Sequence, residues 1–298
     1  MPDPLLIAQL VEATLFLGGL VVLWHLVLSP KARAAVGQPQ PLPHWDIPGY
    51  VYALSVLRVL GVAFAVQMMA AASLKKMMPE QPLTEGVGLI VAGLSLQIGL
   101  LLGLAVAWFF LRSTRFQARL NAANSDSPPP PPPLAGSRVP LAGLATFLLM
   151  IACIVPVSLI WPSLLKSLGL PVETQEAVEL FKQAGSPIQL GLLLLFAVVI
   201  APITEELLFR TGIFRYTRGR LPRFFALVLP ALIFAAAHRS LAAGLPLFIF
   251  GLIQSIAYER TGRVAVVMIA HGLFNLHTAV FLLTGLDPYA AITSRLSQ

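Results

Sequence analysis

The sequence predicts an all-α integral membrane protein of about eight transmembrane helices, with the chemistry concentrated in its C-terminal half. Three observations carry that prediction. Hydrophobic residues make up 57% of the 298-residue chain and charged residues only 11%, against about 25% charged in an ordinary soluble domain. The mean hydropathy is +0.82. The apolar residues gather into runs long enough to cross a hydrocarbon core of about 30 Å. That composition excludes a water-soluble enzyme, a fibrous protein and a disulfide scaffold. The single cysteine, Cys153, allows neither an intramolecular disulfide nor a cysteine-based metal cluster. The net charge of +7 comes from 20 basic and 13 acidic residues and reads as topological, because no basic tract is interleaved with aromatics. Nucleic acid is not an expected partner; the lipid bilayer is.

The first apolar run spans residues 5–28, follows Asp3 rather than lysines and lacks a small-residue cleavage site, so it reads as a retained helix. Further runs lie at 51–73, 87–111, 140–161, 188–208, 224–237 and 264–284, and the shorter 245–258 completes eight. Positive charge near helix ends marks cytoplasmic loops. The loops after the odd-numbered helices hold Lys31 and Arg33; Arg112, Arg115, Arg119 and Arg138; Arg210, Arg215, Arg218, Arg220 and Arg223; and Arg260 and Arg263. The alternate loops mix Lys75 and Lys76 with Glu80 and Glu85, and Lys166 and Lys182 with Glu173, Glu176 and Glu179. The expectation is a cytoplasmic side for the odd loops and an outer N-terminus, which requires 245–258 to cross.

Residues 121–139 read as a cytoplasmic linker, because six consecutive prolines, Pro128 to Pro133, favour an extended polyproline II rod and cannot continue a helix. The expected organisation is a three-helix segment over 1–120, that linker, and a five-helix unit over 140–298. A PxxP ligand for a partner is a lesser reading of the linker.

Ionisable groups inside a membrane are costly, so each is a functional candidate whose partner must be named. In Glu205-Glu206-Leu207-Leu208-Phe209-Arg210, Glu206 and Arg210 are four apart and share a helix face, which makes them a natural ion pair. Glu205 is turned about 100° from Glu206 and faces something else. Phe234 and His238 follow at a four-residue spacing, with Ala235 to Ala237 between them letting neighbouring helices approach closely. His271 and Asn275, also four apart, can converge on one ligand or one developing charge. Each cluster alone suits an interfacial cap or a helix-to-helix hydrogen bond. A carboxylate, two histidines and an amide on three helices of one small unit form a stronger pattern. His25, His44 and His277 lack such company and read as structural or interfacial.

These three clusters, in this order on successive helices, resemble the signature motifs of the CPBP intramembrane protease family, the CAAX proteases and bacteriocin-processing enzymes also called the Abi family, which includes Rce1-type prenyl-protein endopeptidases. The resemblance covers about residues 188–284. It implies a membrane-embedded metalloendopeptidase acting on a membrane-associated protein or peptide, prenylated or with a hydrophobic C-terminus, from a bacterial inner membrane with its site towards the cytoplasm. By resemblance, Glu205 activates a water, His238 holds or polarises it, and His271 and Asn275 stabilise the oxyanion, with Glu206 and Arg210 completing the motif. Zinc stays open: Glu205, His238 and His271 could ligate it, yet no HExxH helix is present. Two other readings stay alive, a non-catalytic binding, immunity or adaptor protein of the same fold, and a proton-coupled transporter in which buried Glu and His relay protons.

Overall fold

A computed structural model describes residues 3–35, 40, 42, 45, 47–77, 85–112, 131–173, 176–182 and 184–289. The helices are α1 (Pro4–Leu28), α2 (Pro30–Ala34), α3 (Gly49–Met77), α4 (Glu85–Leu111), α5 (Val139–Ser167), α6 (Glu176–Lys182), α7 (Pro187–Arg218), α8 (Arg223–Ala237), α9 (Leu241–Thr261) and α10 (Val264–Thr284). Seven of these segments are long and apolar enough to span a membrane, and α8 is a shorter apolar helix of 15 residues. The protein is thus an all-α integral membrane protein of about eight helices. Pro128 to Pro130, the first half of the proline run, lie outside the described residues, as does His44.

Two expectations about helix limits are corrected. The segment expected at 245–258 runs from Leu241 to Thr261, started by Ser240, whose hydroxyl accepts from the Ala243 amide. The fifth span does not stop at Leu208. Its helix continues to Arg218, so Arg210, expected in a cytoplasmic loop, lies inside the span, and the Glu205–Glu206 pair lies in its interior rather than at its end. The physical reason is that Arg210 has its charge matched within the helix and does not need water.

The described chain divides into two compact, discontinuous units. One contains α3, α4 and α7. Its α3–α4 seam is set by two small residues four apart: a Cβ on Gly99 would stand 2.6 Å from the Ala63 Cα, and one on Gly103 would stand 2.7 Å from the Val59 Cα. Helix backbones in lipid approach this closely only where a side chain is missing. Val59, Ala63, Leu100 and Ala107 form the buried cluster at that seam, and Leu208 of α7 packs against it. The start of α3 and the segment before it are tied to the end of α7, where Tyr52 stacks on Tyr216 at 3.7 Å and the Arg220 guanidinium donates to the carbonyls of Trp45 and Ile47.

The other unit contains α1, α2, α5, α8, α9 and α10. Here too glycines permit the contacts. Gly19 of α1 lies against the Leu148 carbonyl and Ala152 of α5, Gly143 of α5 against Ile269 of α10, and Gly251 of α9 against Ala231 of α8. An ion pair between Arg223 and the buried Glu259, at 2.8 Å, joins the start of α8 to the end of α9.

Candidate active site

The first motif lies on α7, in the unit with α3 and α4. Residues Ala201–Glu206 form a regular α-helical turn between two wider, π-helical segments, Phe196–Ile200 and Leu207–Phe214. Such local widening recurs at functional sites because it re-aims side chains that a regular helix would stack. Thr204 and Thr211 bond back to the carbonyls of Ile200 and Leu207. Across the second transition, Glu206 Oε2 lies 3.1 Å from Arg210 Nε, with 0% and 1% of the two side chains exposed. The pairing expected from the four-residue spacing is therefore present, fully buried. Glu205 is half-buried, and its carboxylate, like that of Glu206, acts on the Arg210 charge.

The second and third motifs lie in the other unit. His238 caps the C-terminus of α8, and its Nδ1 sits 2.8 Å from the Phe234 carbonyl oxygen. Because a carbonyl can only accept, this contact assigns the proton to Nδ1 and the lone pair to Nε2. The buried Phe234 ring lies 4.7 Å from the His238 ring and 6.3 Å from the His271 ring, centroid to centroid, so the two histidines flank one aromatic side chain. Phe250 of α9 stacks on Phe234 at 5.4 Å and meets His271 edge-on at 4.7 Å. This explains the first residue of the Phe234–His238 motif: the phenyl ring is the spacer that fixes both imidazoles. His271 is only 4% exposed, and Asn275, one turn further along α10, is half-buried.

Two clefts open beside this group. One of about 670 Å³ is lined by His238, Arg239, Trp161, Glu173, Leu232 and Phe248 among others. A second, of about 400 Å³, shares Glu173 and Ser240 with the first and reaches Phe250, Phe274 and Thr278. Both are mostly apolar with a few polar groups, the usual character of a ligand site. Among the described residues, no three His, Cys, Asp or Glu side chains are gathered so as to hold a metal ion.

One further cluster joins residues far apart in the sequence. Glu12 of α1, 3% exposed, receives the Nε2 of His277 at 2.7 Å and accepts a hydrogen bond from the Tyr289 hydroxyl. His277 is therefore a structural residue with a specific partner, pinning α10 to α1. A lone carboxylate in an apolar helix was the available signal. Burial, and then the bond to Glu12, push the Tyr289 hydroxyl above its ordinary range. His25 is exposed on α1.

Residues 187–277 match the family described as type II CAAX prenyl endopeptidase, Rce1-like. The match covers about a third of the chain and holds all six motif residues, from Glu205 to Asn275. The chain thus carries an Rce1-like region, consistent with an intramembrane protease acting on membrane-associated protein. No curated protein and no solved structure matches it.

Proposed function

We propose that the protein is an intramembrane endopeptidase that cuts a peptide bond in a membrane-associated protein or peptide with a prenylated or otherwise hydrophobic C-terminus. The observation that carries this reading is the buried Glu206–Arg210 pair on α7, in a region matching an Rce1-like family. One carboxylate of the Glu205–Glu206 dipeptide is committed to charge balance. The other, Glu205, is less buried than its neighbour and suits work as a base.

In the proposed mechanism Glu205 takes a proton from water as the water oxygen bonds to the scissile carbonyl carbon. His238, with its Nδ1 engaged by the Phe234 carbonyl, offers Nε2 as acceptor for the other water proton and so fixes the water's direction. His271 and Asn275 donate to the carbonyl oxygen as it becomes an oxyanion. The C–N bond then breaks, and the proton held by Glu205 passes to the departing amine. Glu206 and Arg210 hold the turn that aims Glu205. Glu205, His238 and His271 are the residues that would hold a zinc ion, which would polarise the water, but they are not gathered as a metal site among the described residues.

The protein is proposed to lie in a bacterial inner membrane with the arginines between Arg215 and Arg223 on the cytoplasmic side; on that topology His238, at the far end of α8, and the cleft beside it lie towards the outer side. The test of function is cleavage of prenylated and non-prenylated peptides by the purified protein beside a Glu205→Gln control. Cleavage by the wild type alone is expected. Equal cleavage by both, or by neither, would refute the reading.

A further inference from the structure

Four described residues have a left-handed backbone. Three are glycines, Gly169 (φ 70°), Gly262 (φ 63°) and Gly285 (φ 65°); the fourth is Arg239 (φ 53°). Gly262 and Gly285 follow the ends of α9 and α10, and Arg239 takes the corresponding place after α8, where its amide donates to the Ala236 carbonyl at 3.1 Å. Glycine is the usual residue there because any Cβ crowds the backbone. A side chain kept in a strained conformation is a pointer to function.

The Arg239 side chain lines the cleft of about 670 Å³, directly after His238. Trp161, Leu232, Ala236, Leu241 and Phe248 give that cleft an apolar wall, and among the described residues its charged side chains are Arg239 and Glu173. Among the described residues, no hydrogen bond or ion pair engages the Arg239 guanidinium. The 21-residue α9 begins two residues later, and its dipole adds positive potential at the same wall. A guanidinium presents a planar fork of donors that matches a carboxylate in two parallel bonds. Arg239 is itself exposed, and the apolar walls beside it lower the local dielectric for such a contact.

We propose that Arg239 is a specificity residue that receives a carboxylate of the peptide substrate; this rests on the proteolytic role proposed above. An extended chain advances at most ~3.3–3.6 Å per residue, so a carboxylate held beside His238 belongs within a few residues of the bond that is cut. It is either the peptide's C-terminal carboxylate or a nearby Asp or Glu side chain.

The test uses three membrane-anchored peptides: a parent with a free C-terminus and one acidic residue near the cut, its C-terminal amide, and its Asp→Asn form. Cleavage is measured with the wild type, Arg239→Gly and Arg239→Lys. The wild type should favour the parent over one of the two neutralised peptides by about tenfold or more in kcat/KM, as expected for a charge-assisted hydrogen bond. The peptide that loses activity identifies the source of the carboxylate. Arg239→Gly, whose backbone accepts this conformation without strain, should fold at least as well as the wild type. It should lose the preference, mainly through a higher KM, and Arg239→Lys should keep part of it. Retention of the full preference in Arg239→Gly would overturn the inference, as would a wild type that treats all three peptides alike. Equilibrium binding of the same peptides to the wild type reads the assignment separately. No cleavage with carboxylate-dependent binding would sink the proteolytic role alone, and binding indifferent to the carboxylate would sink the Arg239 assignment.

Discussion

Removing the Arg210 guanidinium should destabilise the protein severely. Arg210→Ala leaves Glu206, which is 0% exposed, as a carboxylate without its cation in the interior of α7. Breaking one side of such a pair costs about 3–5 kcal/mol, because the remaining charge keeps its desolvation penalty and loses its compensation. Each 1.36 kcal/mol is a factor of ten, so the folded-to-unfolded ratio should fall at least about a hundredfold. The assay is reversible unfolding in mixed micelles, read by circular dichroism, with Arg210→Met, Glu206→Gln and the double variant completing a cycle. The double variant removes both charges while keeping similar volumes, and should recover most of the loss, since a neutral pair carries no buried charge. A single variant as stable as the wild type, or a double variant no better than the sum of the singles, would refute the reasoning that charge balance holds this turn.

Two further outcomes are expected. Because Tyr289 is pushed above its ordinary range, its contribution to stability should be fully present below the unfolded value of about 10 and be lost as pH rises above it. The stability difference between wild type and Tyr289→Phe should be flat from pH 6 to 9 and shrink above about 10; a difference that grew there would contradict the contact with Glu12. In a Cys153→Ser background, a cysteine at Ala35 should react with impermeant reagent only from the cytoplasmic side and one at Ser186 only from the outer side, and the reverse pattern would invert the proposed topology.

The spans were legible because apolar runs of this length have one physical use, and the Glu206–Arg210 pair was legible because its partners are neighbours on one helix. The end of α7 is hidden for the same reason in reverse: an arginine marks a boundary only where its charge is unmatched, and that of Arg210 is matched one turn away. Glu12 was passed over because its partners, His277 and Tyr289, lie far off in sequence and no spacing rule links them. The close α3–α4 seam did have a local sign in Gly99-Leu100-Leu101-Leu102-Gly103, the small-residue spacing of membrane helix contacts. The π-helical segments around Ala201–Glu206 have none, because they follow from packing rather than from propensity. The role of Phe234 as a spacer between two imidazoles needed α9 and α10 in place beside α8.

The central claim is that Glu205 is the base, and single-turnover cleavage by matched variants tests it most directly. Glu205→Gln and His238→Ala should each abolish cleavage while expression and peptide binding stay near wild type, and their combination should be little worse than either, because groups acting as one unit are not additive. Asn275→Ala should be milder, slower by about 10²–10³, the usual cost of one oxyanion donor. A Glu205→Gln protein that cleaved at close to the wild-type rate would contradict the account and leave a binding role in its place.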